Sequence, residues 1–287
     1  MRTVRTIAEL RSELDGPRQA GRRIGLVPTM GAFHEGHLSL MRQARRDCEI
    51  VVVSLFVNPT QFNEAGDLRA YPRDESRDAK LASALGVDYL FPPAVEEIYP
   101  GGFATTVSVA RLTETLEGAH RGGRHFDGVA TVVTKLFAIA GPCVAVFGRK
   151  DYQQLLVVRR LARDLHLPVD IVAHPIVREP DGLALSSRNA YLSAEERTRA
   201  LSISRGLVAA ARAHAAGERG RDALESLARS PIASAATSID YVAARDADTL
   251  AALGDCVPDQ AVLLVACRMG TTRLIDNMVL GEDPLPS

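Results

Sequence analysis

Two imidazoles separated by an acid and a glycine, His34-Glu35-Gly36-His37, are the side chains in this sequence best suited to chemistry. They end a segment, Pro28-Thr29-Met30-Gly31-Ala32-Phe33, that leaves a short apolar run and enters amphipathic sequence. Gly31 and Gly36 allow a ligand close to the backbone, and a helix start offers phosphate its N–H groups and the positive end of its dipole. Both imidazoles can donate to phosphate oxygens there. His37 is the stronger candidate for stabilising charge that develops on an α-phosphate, because only contacts that strengthen in the transition state lower a barrier. The spacing is not the H-E-x-x-H of zinc proteases, nor a Walker A loop, nor G-x-G-x-x-G. Taken alone, the segment also reads as a two-histidine metal site or as solvated histidines at a helix end.

Three further segments carry polar groups just beyond apolar runs. Phe56-Val57-Asn58-Pro59-Thr60-Gln61-Phe62 presents two amides, each donor and acceptor at once, which suits a hydroxyl or carboxylate ligand. Gln61 is the substrate-binding candidate, whereas Asn58 reads equally as a turn residue capping its own backbone. In Phe147-Gly148-Arg149-Lys150-Asp151-Tyr152-Gln153-Gln154, Gly148 permits a tight turn and Lys150 is a compact cation for phosphates. Asp151 caps a helix or orients Lys150 or magnesium. Arg149 is phosphate neighbour or solvated charge, and Gln154 lies about one turn into the helix. Leu185-Ser186-Ser187-Arg188-Asn189 joins hydroxyls to a planar guanidinium fork, a clamp suited to β- and γ-phosphates. Ser193 with Glu196 predicts the cap of the following helix, which leaves Ser186 and Ser187 for the ligand.

The elements that must hold these groups follow from hydrophobic period. Short Val- and Ile-rich runs at 24–28, 50–56, 89–91, 144–147 and 169–172 alternate with helical stretches, the signature of a parallel sheet covered on both faces. Helices are expected from about Leu38, over 74–85 with Gly86 ending it left-handed, over 127–140 and over 152–165. Ligands of such sheets bind beyond the strands' carboxyl ends, where three of the four segments fall. Beyond the turn at 178–182 the pattern changes to a helix from Ser193 to about Ala216, a second over 221–228, and alternating segments at 239–244, 261–267 and 273–279. The fold class is therefore α/β: a Rossmann-like, nucleotide-binding parallel-sheet domain over 1–184 and a smaller α+β C-terminal domain over 185–287.

Composition excludes several function classes. Thirty-four Lys and Arg against 35 Asp and Glu give a net charge of −1, which offers polyanions and anionic membranes no general attraction, so no nucleic-acid partner is expected. Four scattered cysteines, Cys48, Cys143, Cys256 and Cys267, form no C-x-x-C pair and suggest neither zinc nor a disulfide framework. The first residues lack the apolar core of a signal peptide, and no apolar run has the roughly 18 residues of a spanning helix. A cytoplasmic protein without a membrane partner is the expectation.

In this order the four segments closely resemble the pantothenate synthetase, or pantoate–β-alanine ligase, family. The likeness covers nearly the whole chain and is carried by PTMGAFHEGHLSL, VVVSLFVNPTQF, Tyr71-Pro72-Arg73, HFDGVATVVTKLF, KDYQQL and GLALSSRNAYLS, with a weaker part at Gly270-Thr271-Thr272-Arg273-Leu274-Ile275-Asp276-Asn277. The resemblance implies a fold related to class I aminoacyl-tRNA synthetases and a two-step reaction. The carboxylate of (R)-pantoate attacks the α-phosphate of ATP, and β-alanine then attacks the mixed anhydride, giving pantothenate, AMP and diphosphate. It implies that Met30, Gly31, Ala32, Phe33, His34, Glu35, Gly36 and His37 line ATP, with His37, His34 and Lys150 catalytic. It places Gly148, Arg149, Lys150, Asp151, Val177, Leu185, Ser186, Ser187 and Arg188 in the same ATP set, and Gln61 and Gln154 on pantoate and β-alanine. Magnesium accompanying ATP, with ligands unknown, and a homodimer are also implied. Two departures stand out: Arg149 replaces a common Glu, and Arg121-Gly122-Gly123-Arg124-His125-Phe126 replaces Arg-Pro-Gly-His-Phe, leaving either Arg121 or Arg124 as the family arginine. A nucleotidyltransferase of the same fold group and a nucleotide-sensing or RNA-binding module are the competing readings. The paired glutamines favour a small hydroxy acid over the first, and Lys150 with both histidines favours an active enzyme over the second.

Overall fold

The computed structural model describes residues 1–62 and 65–285. It divides into two compact units, one of residues 1–149 and 153–175, the other of residues 150–152 and the chain from Ile176 onward.

The first unit runs β1 (Arg2–Thr3), α1 (Ile7–Gln19), β2 (Ile24–Thr29), α2 (Glu35–Asp47), β3 (Ile50–Leu55), α3 (Ala65–Ala70), α4 (Glu75–Ala84), β4 (Tyr89–Phe91), α5 (Val95–Ile98), α6 (Glu117–Arg121), α7 (Gly123–Ala140), β5 (Cys143–Gly148), α8 (Tyr152–Asp164) and β6 (Val169–His174). All six strands are parallel, in the order β1-β4-β3-β2-β5-β6. Nearly every position of β2 and β3 is buried, as a sheet covered on both faces requires. Val27, Val51 and Val53 pack with Met41 and Ala44 of α2 and Ala82 of α4. Asp74 caps α4 through the Arg77 N–H at 2.9 Å, and Gly86 beyond it adopts φ +73°. The five expected strands are present within two residues of their expected ends. β1 and α1 were not among the expected elements: β1 is two exposed residues, and α1, although Thr6 and Glu9 form a capping box at its start, buries only Leu10 and Leu14 and contains Gly16 and Pro17.

From β2 the chain builds outward through β3 and β4, then returns to place β5 on the other side of β2, with Gly25 opposite Val144 and Leu26 opposite Ala145. Connections leaving two neighbouring strands toward opposite sides open a crevice at their carboxyl ends. Met30 and Gly148 stand at those two ends.

The second unit contains α9 (Ala194–Ala215), α10 (Arg221–Ala233), β7 (Ser238–Arg245), β8 (Ala261–Met269) and β9 (Thr272–Leu280), with an antiparallel sheet in the order β7-β8-β9. The expected capping box is formed: the Glu196 N–H donates to Ser193 Oγ at 3.2 Å and the Ser193 N–H to Glu196 Oε2 at 2.8 Å. Ala200, Ile203 and Leu207 of α9 pack with Leu224, Ala228 and Ile232 of α10 over Val242, Leu263 and Val265. A Cβ on Gly206 would lie 2.2 Å from the Ala228 carbonyl oxygen, so the helices cross where only glycine fits. Residues 176–184, which the sequence groups with the first domain, lie in this unit. Val177 and Leu185 pair (N–H to O, 3.0 Å), Glu179 and Leu183 pair at 2.8 Å, and Arg178 grips Asp276 of β9. The turn 150–152 joins the same unit through Tyr152 Oη donating to the Ala247 carbonyl and Asn277 Nδ2 donating to the Lys150 carbonyl, both at 2.9 Å.

Candidate active site

Helix α2 begins at Glu35, three residues earlier than the apolar period indicates, because its N-cap is an imidazole rather than Ser, Thr, Asp or Asn. The Gly36 N–H donates to His34 Nδ1 at 3.2 Å, and the His34 N–H to His37 Nδ1 at 3.4 Å. The Gly36 N–H is thus taken by the protein itself. A neutral imidazole whose Nδ1 accepts carries its proton on Nε2, so both rings are set as Nε2–H donors. Their centroids are 4.3 Å apart, tilted by 48°. Glu35 is exposed and pairs with Arg42.

The turn before this helix is held by a residue that sequence reasoning missed. Asp78 of α4, fully buried, accepts the Ala32 N–H at 2.7 Å and the Phe33 N–H at 2.8 Å. Gly31 (φ +84°) and Ala32 (φ +53°) are both left-handed, and a Cβ on Gly31 would meet Asp78 Oδ2 at 3.0 Å. The carboxylate therefore offsets a conformation that costs Ala32 energy. Its signal lay in helical spacing: Asp78 shares the inward face of α4 with Ala82, where an acid needs buried donors.

Gln61 ends a short 3-10 turn, Pro59–Gln61, capped by Asn58. Asn58 is 1% exposed, and its amide resolves the two readings open in the sequence in favour of structure. Its Nδ2 donates to Gln61 Oε1 and to the Gly128 carbonyl, both at 3.1 Å, while Thr60 Oγ1 and Tyr99 Oη each donate to its Oδ1 at 2.9 Å. Burial raises the Tyr99 phenol pKa, so Tyr99 stays a neutral donor. Gln61 Nε2 reaches Met30 Sδ at 3.0 Å, which ties the segment after β3 to the one after β2. His125 Nδ1 lies 2.7 Å from the Gln61 carbonyl, and Gly128 of α7 passes so close that a Cβ there would be 2.6 Å from Thr60 backbone atoms. Gln154 is half-buried in the first turn of α8, and no hydrogen bond among the described residues links it to Gln61. Its neighbour Gln153 is structural, accepting the Glu117 N–H at 2.9 Å and donating to the Leu112 and Thr115 carbonyls. Of the two family-arginine candidates, Arg121 pairs with Glu117 at 2.9 Å and Arg124 is exposed.

In the second unit one shallow cleft brings together Lys150, Ser186 and Arg188, expected to act together although far apart in sequence, with Asn189, Arg273 and Asp276 beside them. Ser186 caps the 3-10 turn Ser187–Tyr191 by accepting the Arg188 N–H at 3.2 Å, so the capping role assigned to Ser193 alone is shared. Asn189 fastens the turn through Nδ2 to Glu179 Oε1 at 3.0 Å and to the Ala184 carbonyl at 3.1 Å. Val177 and Leu185 are half-buried partners across the hairpin leading into it. Arg149 is half-buried and Asp151 exposed at the turn that carries Lys150.

The sheet order, with ligand-ready segments at the ends of β2 and β5, is that of a nucleotidyltransferase-like α/β enzyme. A family model described as pantoate–β-alanine ligase matches residues 2–279, and the chain belongs to that family. The pantothenate synthetase of Moorella thermoacetica is 52% identical over 281 residues, covering 98% of this chain and 99% of its own. The crystal structure of pantothenate synthetase from Thermus thermophilus superposes with a TM-score of 0.91 at 49% identity, covering 98% of this chain and 99% of that one. A pantoate–β-alanine ligase from Francisella tularensis, complexed with β,γ-ATP and β-alanine, matches with a TM-score of 0.79 at 32% identity over all of both chains. No helix among the described residues is long and apolar enough to cross a membrane, and no group of three or more His, Cys, Asp or Glu among them is placed to hold a metal ion.

Proposed function

We propose that the chain joins (R)-pantoate to β-alanine through a pantoyl adenylate. A pantoate carboxylate oxygen bonds to the α-phosphorus of ATP as the bond to the β-phosphate breaks and diphosphate leaves. The β-alanine amine then attacks the acyl carbon, loses a proton and displaces AMP. The observation that carries this reading is the imidazole pair at the start of α2, both Nδ1 atoms engaged by backbone N–H groups, which in a neutral ring puts the proton on Nε2. Such fixed donors stabilise charge gathering on phosphate oxygens without reorganising, which adenylation needs more than it needs a protein nucleophile.

Within this proposal Met30 to Gly36 line the nucleotide, and His37 and His34 donate to its phosphates. Gly148, Arg149 and Asp151 continue that set, Val177 touches adenine or ribose, and Lys150 with Leu185, Ser186, Ser187 and Arg188 holds the β- and γ-phosphates. Gln61, anchored as described, and Gln154 receive pantoate and the β-alanine site. Magnesium is proposed to arrive on ATP, whose phosphate oxygens and water meet its oxygen preference where side-chain cages are lacking. It would neutralise phosphate charge. A cytoplasmic homodimer completes the proposal, supported by family resemblance and by cysteines that stay unpaired.

The test is diphosphate release from ATP and pantoate, with and without β-alanine. Pantoate-dependent release without β-alanine is expected, and its absence sinks the proposal. Light scattering of the purified protein should return twice the chain mass.

A further inference from the structure

Asp276 and Asn277 are neighbouring residues of β9, 4% and 2% exposed, and their polar groups are engaged largely by the protein itself. Successive strand residues point to opposite faces, so one rigid peptide sends two polar side chains in opposite directions. Asp276 takes the Arg178 guanidinium in a bidentate grip at 2.7 and 2.9 Å, and its Oδ1 also accepts the Asn277 N–H at 2.8 Å. Arg178 in turn donates to the Gly182 carbonyl at 3.1 Å and the Asn277 carbonyl at 3.3 Å, which fixes the hairpin that delivers Ser186 to Arg188. On the other side, Asn277 Nδ2 holds the Lys150 carbonyl at 2.9 Å.

We infer that Asp276 and Asn277 are positioning residues for the first half-reaction, setting the distance between Lys150 and the Ser186–Arg188 turn. This rests on the proposed role of those residues at the β- and γ-phosphates. A buried ion pair adds little to stability, since desolvation offsets its attraction, but its bidentate geometry fixes direction. A ligand clamp assembled from two loops gains precision when both are tied to one sheet strand. Lys150, Ser186, Arg188 and Asp276 line the same cleft, so a shift at β9 reaches both sides of the clamp.

The two half-reactions separate this role from general support. Forming the adenylate requires the β- and γ-phosphates, whereas attack of β-alanine on preformed pantoyl adenylate does not. Asn277→Ala and Asp276→Asn are expected to slow pantoate-dependent diphosphate release at subsaturating ATP by about tenfold or more. With saturating synthetic pantoyl adenylate, pantothenate formation should stay within about twofold of the parent. Equal losses in both half-reactions, or no loss in the first, overturn the inference. Circular dichroism establishes that each variant is folded. Should neither β9 variant fold, Arg178→Lys, which keeps the charge but loses the planar fork, carries the same comparison. Absence of diphosphate release in the unmodified protein refutes the proposed reaction instead, so the two failures are distinct.

Discussion

Each Nδ1 of the imidazole pair faces a backbone donor, which places the proton of a neutral ring on Nε2 and makes His34 the helix cap, with phosphate donation its role in the proposed reaction. His37 accepts its backbone bond at 3.4 Å against 3.2 Å for His34, which is the N-cap itself, so His37 is the better mutational target. His37→Ala is expected to lower the rate of adenylate formation by roughly 10²–10³-fold while changing ATP affinity little, as found for other pre-aimed donors to a developing charge. Presteady-state diphosphate release and equilibrium ATP titration check this, and equal losses in both would make His37 a ground-state contact. The histidines, Gln61 and Lys150 stand out in the sequence as candidates because they are polar side chains placed just beyond apolar runs. Asp78 was only partly legible: helical spacing puts it on the inward face of α4, but its two donors, Ala32 and Phe33, are distant in the chain and their N–H groups leave no trace in side-chain pattern. Asn58 illustrates the converse: the turn chemistry visible in Asn-Pro turned out to be the anchor of Gln61.

Among elements, α7 matters most for Gln61. It meets the Pro59–Gln61 turn at Gly128 and supplies His125 to the Gln61 carbonyl, so one helix sets both the height and the tilt of that turn. Gly128→Ala should drive a methyl into the Thr60 carbonyl, cost about 1–3 kcal/mol of stability by overpacking and raise the KM for pantoate. Urea unfolding with steady-state kinetics reads both, and an unchanged KM for pantoate would detach α7 from substrate binding. The strands and long helices were legible because buried parallel strands are uninterrupted apolar runs and helix ends carry caps such as Ser193-Glu196. The division between units was less so. Residues 176–184 look like the tail of a sheet domain, but Arg178 commits them to β9 through a contact 98 residues away in sequence, beyond the reach of any local pattern.

The molecule as a whole keeps Cys48, Cys143 and Cys267 buried and leaves Cys256 exposed. Burial pushes the Cys143 and Cys267 thiols up from 9.0 to about 12. The unfolded chain gives up these protons first, so the stability they contribute is full below pH 9 and is lost as pH rises toward 12. The unfolding midpoint in urea should fall progressively across that window, and a Cys143→Ala, Cys267→Ala double variant should fall less steeply. A slope unaltered in the double variant would assign the alkaline loss to other groups. A thiol reagent applied to the native protein should modify Cys256 alone. The two-unit division also has a temporal side. The turn at Lys150 belongs to a unit whose remaining chain starts at Ile176, and its carbonyl is held by a residue of the last strand. A chain still being synthesised therefore carries both histidines and Lys150 long before Asp276 and Asn277 exist. The contacts that tie Lys150 and the Ser186–Arg188 turn to β9 close only after that strand has been made.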